Sequence, residues 1–584
     1  QDLLGTPHRQ RSDLLAQGMP QRLVSQARRI QVSSAGVRTP FTITPAGLRF
    51  IAKDLATDHT GRNVYVITWN GAPAMRAPLS QSEIPVKNGF HRIHQNWIYY
   101  QAAPRDTDPW LWDLLLEGDP WPASWDPTQG DFDLPGFVPG GGSVPVEITL
   151  VGRTDSPHVV EATINGAFAG RIEFAGTGVA TLQGSVSATA LAAAGNKLKL
   201  TYTSTDPSAL AYLNYLDLGL ELPAPPGEIA SISAFDTELP LLFRADYLVV
   251  THPDFLTQAG QVAAIKKAAG QNAVVVDVER AYDRYTAGIP DSSAIEALIR
   301  ESKRTRTVLL IGDDTIDPAD NYGQGSRAFM PSAIGFDDFT GRVISENRYA
   351  DRDGDGSPDV AIGRFPVRTA ADAEVMVQKV QNGAALLAAN TSRHVIAVDN
   401  QGLNDMPFRS EGRLIESVLG GSSTFADIAT GAAGARTALL AGMNLGAVTT
   451  NYVGHGGPDH WADEAIFGTD DAADFANTNQ GTLLLTWACV SSDYRYFYGS
   501  AVSEAMVMTP AGGAVASFGP TGLSLPTLQR ELHLLLYPRL LEGLTLGESV
   551  REAKAAFLAA FPDERDFLHG WALLGDPDAR LPQP

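Results

Sequence analysis

Beyond residue 240 the chain repeats one pattern: a short, wholly apolar run, then a stretch with helical spacing. The runs are Tyr247-Leu-Val-Val250, Ala273-Val-Val-Val-Asp277, Val308-Leu-Leu-Ile-Gly312, Val395-Ile-Ala-Val398, Gly446-Ala-Val-Thr-Thr-Asn-Tyr-Val-Gly-His455, Gly481-Thr-Leu-Leu-Leu-Thr-Trp-Ala-Cys489 and Gly513-Ala-Val-Ala-Ser-Phe-Gly519. Helical patterns lie between them, as at Ala370 to Val380 and Thr545 to Phe561. Strands apolar on both faces belong to parallel sheets covered by helices. Residues 241–584 are therefore expected to form a doubly wound α/β region, with two sheets or one large one.

The texture before residue 222 is different. Short alternating runs recur, such as Asn63-Val-Tyr-Val-Ile-Thr-Trp69, Val146-Glu-Ile-Thr-Leu150, His158-Val-Val-Glu-Ala-Thr-Ile164 and Lys197-Leu-Lys-Leu-Thr-Tyr202. Turn signals at Asn165-Gly166, Gly195-Asn196 and Asp206-Pro207 separate some of them. The glycine-rich joint Pro139–Ser143 divides an N-terminal β-rich region, 1–138, from a β-sandwich expected over 144–222. Pro223-Ala-Pro-Pro-Gly227 opens a linker placed at 223–240. Trp110, Trp112, Trp121 and Trp125 cluster in sequence, which fits either packing under a loop or a glycan-binding platform.

At 584 residues the chain exceeds one core, and about two to four domains are expected. Its formal charge of −22 argues against nucleic acid or an anionic membrane as partner, because both need a basic face. No apolar run approaches the ~18 residues of a membrane span. Cys489 is the single cysteine, so no internal disulfide forms and cysteine usage does not set the compartment. The start, Gln1-Asp-Leu-Leu-Gly5, has neither Met nor a signal-like apolar core, as expected of a processed chain or a fragment.

In open α/β sheets the loops at the carboxyl ends of the strands build the site. Cys489 and His455 each end an apolar run. If those strands are neighbours, thiol and imidazole face one cleft as candidate nucleophile and base. Taken singly the signals are weaker. A lone cysteine is often inert core. His455 with Asp459, His460 and Asp463 also reads as a zinc set, although a strand end lacks the helical ligand spacing. Together the pair is more specific, with glycines flanking the histidine and Ser491, Ser492 and Asp493 following the cysteine.

A second constellation is Asp351-Arg-Asp353-Gly-Asp355-Gly356-Ser-Pro-Asp359. It places carboxylates at positions 1, 3, 5 and 9 of a calcium loop, with glycine at position 6 for the sharp turn. Position 12 is Ile362, so any bidentate ligand comes from elsewhere. Four carboxylates this close repel one another without a cation, and hard calcium suits scaffolding better than activating a thiol. The alternative is a solvated acidic turn.

The stretch Asn451-Tyr-Val-Gly-His455-Gly-Gly, then Trp461, Phe467-Gly-Thr469, Asn477-Thr-Asn479 and Trp487-Ala-Cys489-Val490, resembles the gingipain family of cysteine peptidases (family C25, caspase-like clan). Tyr247 to Phe255, Val276-Asp-Val-Glu279, Leu309-Leu-Ile-Gly-Asp313, Asp359 to Pro366 and Leu574-Gly-Asp-Pro577 follow the same family in order. The resemblance spans residues 240 to 582. It implies a caspase-like catalytic region of two sub-domains, 241–380 with the calcium loop and 381–584 with the dyad. His455 would be the base and Cys489 the nucleophile, with the backbone N–H groups of Gly456 and Cys489 as oxyanion donors. Ser345-Glu346-Asn-Arg-Tyr349 matches the stretch whose acid reads a basic P1 side chain, which makes Glu346 the expected reader. The family's third acid aligns with Pro458, and Asp459 is the nearest substitute.

The resemblance therefore implies a secreted or cell-surface cysteine endopeptidase acting on polypeptide; the acidic loop adds an expected structural Ca²⁺ through Asp351, Asp353, Asp355 and Asp359, and no organic cofactor is expected. The β domains in front resemble those of sortase-like relatives of type IX secretion, which makes a transpeptidase the alternative. A catalytically silent adhesion or scaffold protein is the reading from another class.

Overall fold

The computed structural model describes residues 30–34, 37–39, 41–44, 47–50, 62–69, 72–80, 89–105, 107–222, 233–234, 236–390, 393–400, 407–475, 477, 479–510 and 512–582. The first residues of the chain and Pro223–Gly227 lie outside them.

Ten strands form one continuous sheet in the C-terminal region. They are β1 (Tyr247–Thr251), β2 (Ala273–Asp277), β3 (Thr307–Ile311), β4 (Ala361–Phe365), β5 (Arg393–Val398), β6 (Ser422–Asp427), β7 (Thr449–Val453), β8 (Thr482–Trp487), β9 (Ala514–Pro520) and β10 (Trp571–Gly575). Their order across the sheet is β2-β1-β3-β4-β10-β9-β8-β7-β5-β6. Every pair is parallel except β9 with β10. The half built from β1–β4 and β10 thus runs opposite to the half built from β5–β9. The seam between β4 and β10 is narrow, with the single register pair Arg364–Leu574.

Alternation along the strands divides the core into two layers. Tyr247 and Val249 of β1 join one cluster with Val262, Met376, Leu439 and Met506. Leu248 and Val250 point the other way, toward Ala281, Ile295 and Leu298. Leu483, Leu485 and Trp487 of β8 share that second side with Phe408, Ile415, Leu532 and Leu536. Helices cover both faces, which is why the inner strands carry no polar face, while the edge strand β6 (Ser-Ser-Thr-Phe-Ala-Asp) is polar and half-exposed.

In front of this region stands a two-sheet antiparallel sandwich. One sheet is Asp113–Leu116, Leu210–Leu218, Ser143–Gly152 and Val179–Ser187, with His91–His94 also on Leu210–Leu218. The other is Pro120–Trp121, Asn196–Thr203, Pro157–Ile164 and Ala167–Ala175, with Asp131–Phe132 also on Asn196–Thr203. The sandwich thus begins well before the glycine-rich joint and takes four short strands from residues 91–132. Those strands are too short for an alternation signal. Trp112 and Trp121 are buried in the sandwich core and Trp110 is buried beside them in sequence, while Trp125 is exposed. A separate sheet joins Ile30–Ser34, Val37–Thr39, Arg62–Trp69 and Ala72–Ser80 with Ser233–Ala234, the last from the expected linker.

Candidate active site

β7 and β8 are adjacent and in register, Val453 opposite Trp487. His455 and Cys489 therefore leave the sheet at the same edge, two residues past each strand end. A buried hydrogen-bond chain ties the two strands together beneath them. Trp487 Nε1 donates to Tyr537 Oη at 2.9 Å, and Tyr537 Oη donates to Asn451 Oδ1 at 2.6 Å. Asn451 Nδ2 then donates to Val395 O on β5 and to Thr449 Oγ1. A buried polar group needs such partners, and these fix the strands that carry the pair.

The backbone of His455 is held from both sides. Its N–H donates to Asp399 Oδ2 at 2.9 Å, and its carbonyl accepts from Tyr452 Oη and from Ala462 N. Burial raises the pKa of Asp399, while the N–H groups of His455 and Asn400 pull it down. The close approach requires Gly454, where a β-carbon would sit 2.3 Å from Asp399 Cβ. The imidazole is exposed and stands edge-to-face on Phe408, with ring centroids 5.2 Å apart. Gly456 packs against the other strand's loop. A β-carbon there would lie 3.0 Å from Ser491 Oγ and 3.2 Å from Cys489 O.

Cys489 is partly buried, and its Sγ donates to Ser524 O at 3.8 Å. Burial pushes the thiol pKa up. The next residue, Val490, has φ +45°. A β-branched side chain in the left-handed region is a true conformational outlier, costing about 1–3 kcal/mol and persisting only where the surroundings enforce it. Here Val490 N donates to Gly522 O at 3.1 Å, and Ser491 Oγ donates to Cys489 O at 3.0 Å. Among the described residues, the N–H groups of Gly456 and Cys489 have no hydrogen-bond acceptor.

Asp459, the expected substitute for the third acid, faces a different histidine. Its Oδ1 lies 2.7 Å from His460 Nδ1. The side chain that does grip the His455 loop is Asp399, which residue spacing did not reveal. Its position at the end of the β5 run was the available signal.

Glu346 is also placed differently from the expectation that it reads a basic P1 side chain. It is buried, and its Oε1 accepts from Arg364 Nε at 2.7 Å and from Tyr494 Oη. Arg364 is wholly buried and also donates to the carbonyls of Gly312, Met330 and Pro331. The Glu346 carboxylate is thus already neutralised by an internal guanidinium on β4.

The acidic loop brings carboxylate oxygens of Asp351, Asp353 and Asp359 within 4.8 Å of one another. Asp355 lies outside this group and accepts from Ser357 N at 2.7 Å. Gly354 and Gly356 have φ of +83° and +93°, the turn that folds the carboxylates inward. Three hard oxygen donors at this spacing fit a calcium-like cation. Among the described residues no other group of His, Cys, Asp and Glu is so disposed, and the zinc set around His455 is not formed.

The thiol and the histidine thus follow adjacent strands at one edge of a helix-covered sheet. The sequence pattern of peptidase family C25 matches residues 242–582, and the chain belongs to that family. No curated protein matches it by sequence. Among solved structures it is similar to dimeric latent PorU from Porphyromonas gingivalis, with TM-score 0.52 and 14% identity over 98% of this chain and 62% of that one. It is also similar to gingipain R (RgpB), described as an Arg-specific cysteine proteinase, with TM-score 0.46 and 18% identity over 59% of this chain and 80% of that one. The complex of RgpB pro- and mature domains from Porphyromonas gingivalis gives TM-score 0.46 and 20% identity over 57% and 79%. The likeness to PorU is one of fold and extends over the β regions in front.

Proposed function

We propose that the protein is a cysteine endopeptidase in which Cys489 is the nucleophile and His455 the general base. The observation that carries this reading is the strained turn at Val490, enforced directly after the only thiol and beside the His455 loop. His455 takes the Sγ proton as sulfur attacks the peptide carbonyl carbon, and the C–O π electrons move to oxygen. The N–H groups of Gly456 and Cys489 meet that oxyanion. Its collapse breaks the C–N bond, the imidazolium gives its proton to the leaving amine, and water then hydrolyses the thioester. Transfer of the same acyl group to an amine would make the protein a transpeptidase. Product analysis with and without added amine separates the two.

Asp351, Asp353 and Asp359 would hold a structural Ca²⁺, which steadies the loop leading into β4 and takes no part in the chemistry. The chain is proposed to work outside the cell or at its surface, on polypeptide. Among the described residues no helix is long and apolar enough to cross a membrane. Glu346 is assigned to its ion pair with Arg364, and selectivity at P1 to other residues of the cleft. The test is turnover of a peptide library by Cys489→Ala and His455→Ala. Loss by roughly six orders of magnitude in kcat is expected for each, because the two act as one unit. Undiminished cleavage by Cys489→Ala would end the reading.

A further inference from the structure

The enforced turn at Val490 depends on the segment Thr521–Leu525, which follows β9. Gly522 O accepts from Val490 N, and Ser524 O accepts from Cys489 Sγ. That segment is held in turn by a hairpin, Ile334–Asp337 with Gly341–Ile344. Leu523 N donates to Thr340 Oγ1 at 2.7 Å, and Thr521 Oγ1 donates to Ile344 O at 3.0 Å. A β-carbon at Gly522 would lie 2.8 Å from Val343 Cγ1, so the two segments are in close contact.

The hairpin is anchored on its far side by the β region in front. Arg342 is buried, and its guanidinium donates to the carbonyls of Ala103, Pro104, Arg105 and Thr107, the shortest at 2.6 and 2.7 Å. Arg342 N donates to Gln101 O, and Gln101 Nε2 donates back to Arg342 O at 2.7 Å. Gly341 lets the two backbones touch, since a β-carbon there would be 2.5 Å from Gln101 O. Residues 101–107 link the sandwich strands His91–His94 and Asp113–Leu116. Four carbonyls converging on one buried guanidinium fix the hairpin to the sandwich far more firmly than surface contacts would.

We propose that the β region is a built-in part of the catalytic site: through Arg342 and Thr340 it holds the Thr521–Leu525 segment, which keeps Val490 strained and the Cys489 thiol in place. The inference rests on the peptidase reading of Cys489. Arg342 and Thr340 are positioning residues, because neither touches the thiol. Strain at Val490 persists only while its surroundings over-determine it. Releasing Leu523 from Thr340 removes one of those constraints, and the contact path is continuous from sandwich to nucleophile.

Two readouts in the full-length protein test this. The first is the rate of Cys489 alkylation by iodoacetamide across pH, which needs no peptidase activity. The second is kcat and KM for a cleaved library peptide. Thr340→Val removes the acceptor at nearly constant shape. It is expected to speed alkylation about three- to tenfold, the range that one hydrogen bond supports, and to lower kcat with KM nearly unchanged. Thr340→Ser keeps the hydroxyl and should behave like the wild type. Arg342→Gln should shift both readouts in the same direction as Thr340→Val. Wild-type alkylation in both Thr340→Val and Arg342→Gln would overturn the proposal, as would equal effects from Thr340→Val and Thr340→Ser. If the expected alkylation pattern is found in a protein that cleaves no peptide, the buttress stands and the peptidase reading falls.

Discussion

Glu346→Gln separates a buried ion pair from a substrate reader. The side chains of Arg364 and Glu346 are 0% and 2% exposed, with Nε to Oε1 at 2.7 Å. Removing one partner of such a pair leaves an uncompensated buried charge and costs about 3–5 kcal/mol. Two features place this case at the lower end. Three carbonyls already accept from the guanidinium, and glutamine keeps an oxygen facing Arg364 Nε. The expected loss is therefore about 3 kcal/mol. At roughly 2 °C per kcal/mol for large domains, the α/β region should melt about 6 °C lower. Differential scanning calorimetry of the full chain reads this directly. Adding Arg364→Met should recover most of the loss, because replacing both charges by apolar groups is often nearly neutral. An unchanged melting temperature in Glu346→Gln, with a changed ratio of basic to neutral P1 cleavage, would refute the assignment and restore Glu346 as reader.

Calcium at a hundredfold excess over its dissociation constant should add about 2.7 kcal/mol of stability by binding the native state alone. Asp353→Asn should abolish that gain and Asp355→Asn should largely keep it, and identical melts in calcium and EGTA would contradict the site. Two half-buried histidines predict acid sensitivity. Burial pushes His94 and His569 down to about 4. Between about pH 6.5 and 4 the unfolded chain takes up protons that the native state does not, so stability falls as pH drops through that window and is unaffected above it. His569→Gln should flatten part of this slope in urea midpoints measured against pH. A slope equal to that of the wild type would show that His569 titrates normally.

The parts of the fold that could be read in advance are those with a local signal. Seven of the ten strands of the central sheet announced themselves as apolar runs, whereas β4, β6 and β10 did not, β6 because its sequence Ser-Ser-Thr-Phe-Ala-Asp is polar and half-exposed at the sheet edge. Cys489 and His455 stood out because each ends such a run. Their adjacency depended on strand order, which no local pattern encodes. The partners that define the site are remote: Asp399 is 56 residues from His455, and Glu346 is 18 residues from Arg364. Glu346 shows the limit most clearly. A short motif suggested a role facing substrate, and a buried guanidinium on β4 gave the same carboxylate a different one. The clustering of Asp351, Asp353 and Asp359 was legible because these acids are close in sequence, yet spacing alone could not tell that Asp355 turns to Ser357. The sandwich strands of residues 91–132 were missed because two to four residues carry no periodicity.

The most direct measurement is covalent trapping by a mixed-sequence peptidyl acyloxymethyl ketone, followed by peptide mapping in reducing, calcium-containing buffer. A single adduct on Cys489 Sγ is expected, formed at least about a hundredfold more slowly in His455→Ala, the lower bound for loss of a general base. Absence of an adduct on Cys489, or labelling that His455→Ala leaves unchanged, would contradict it.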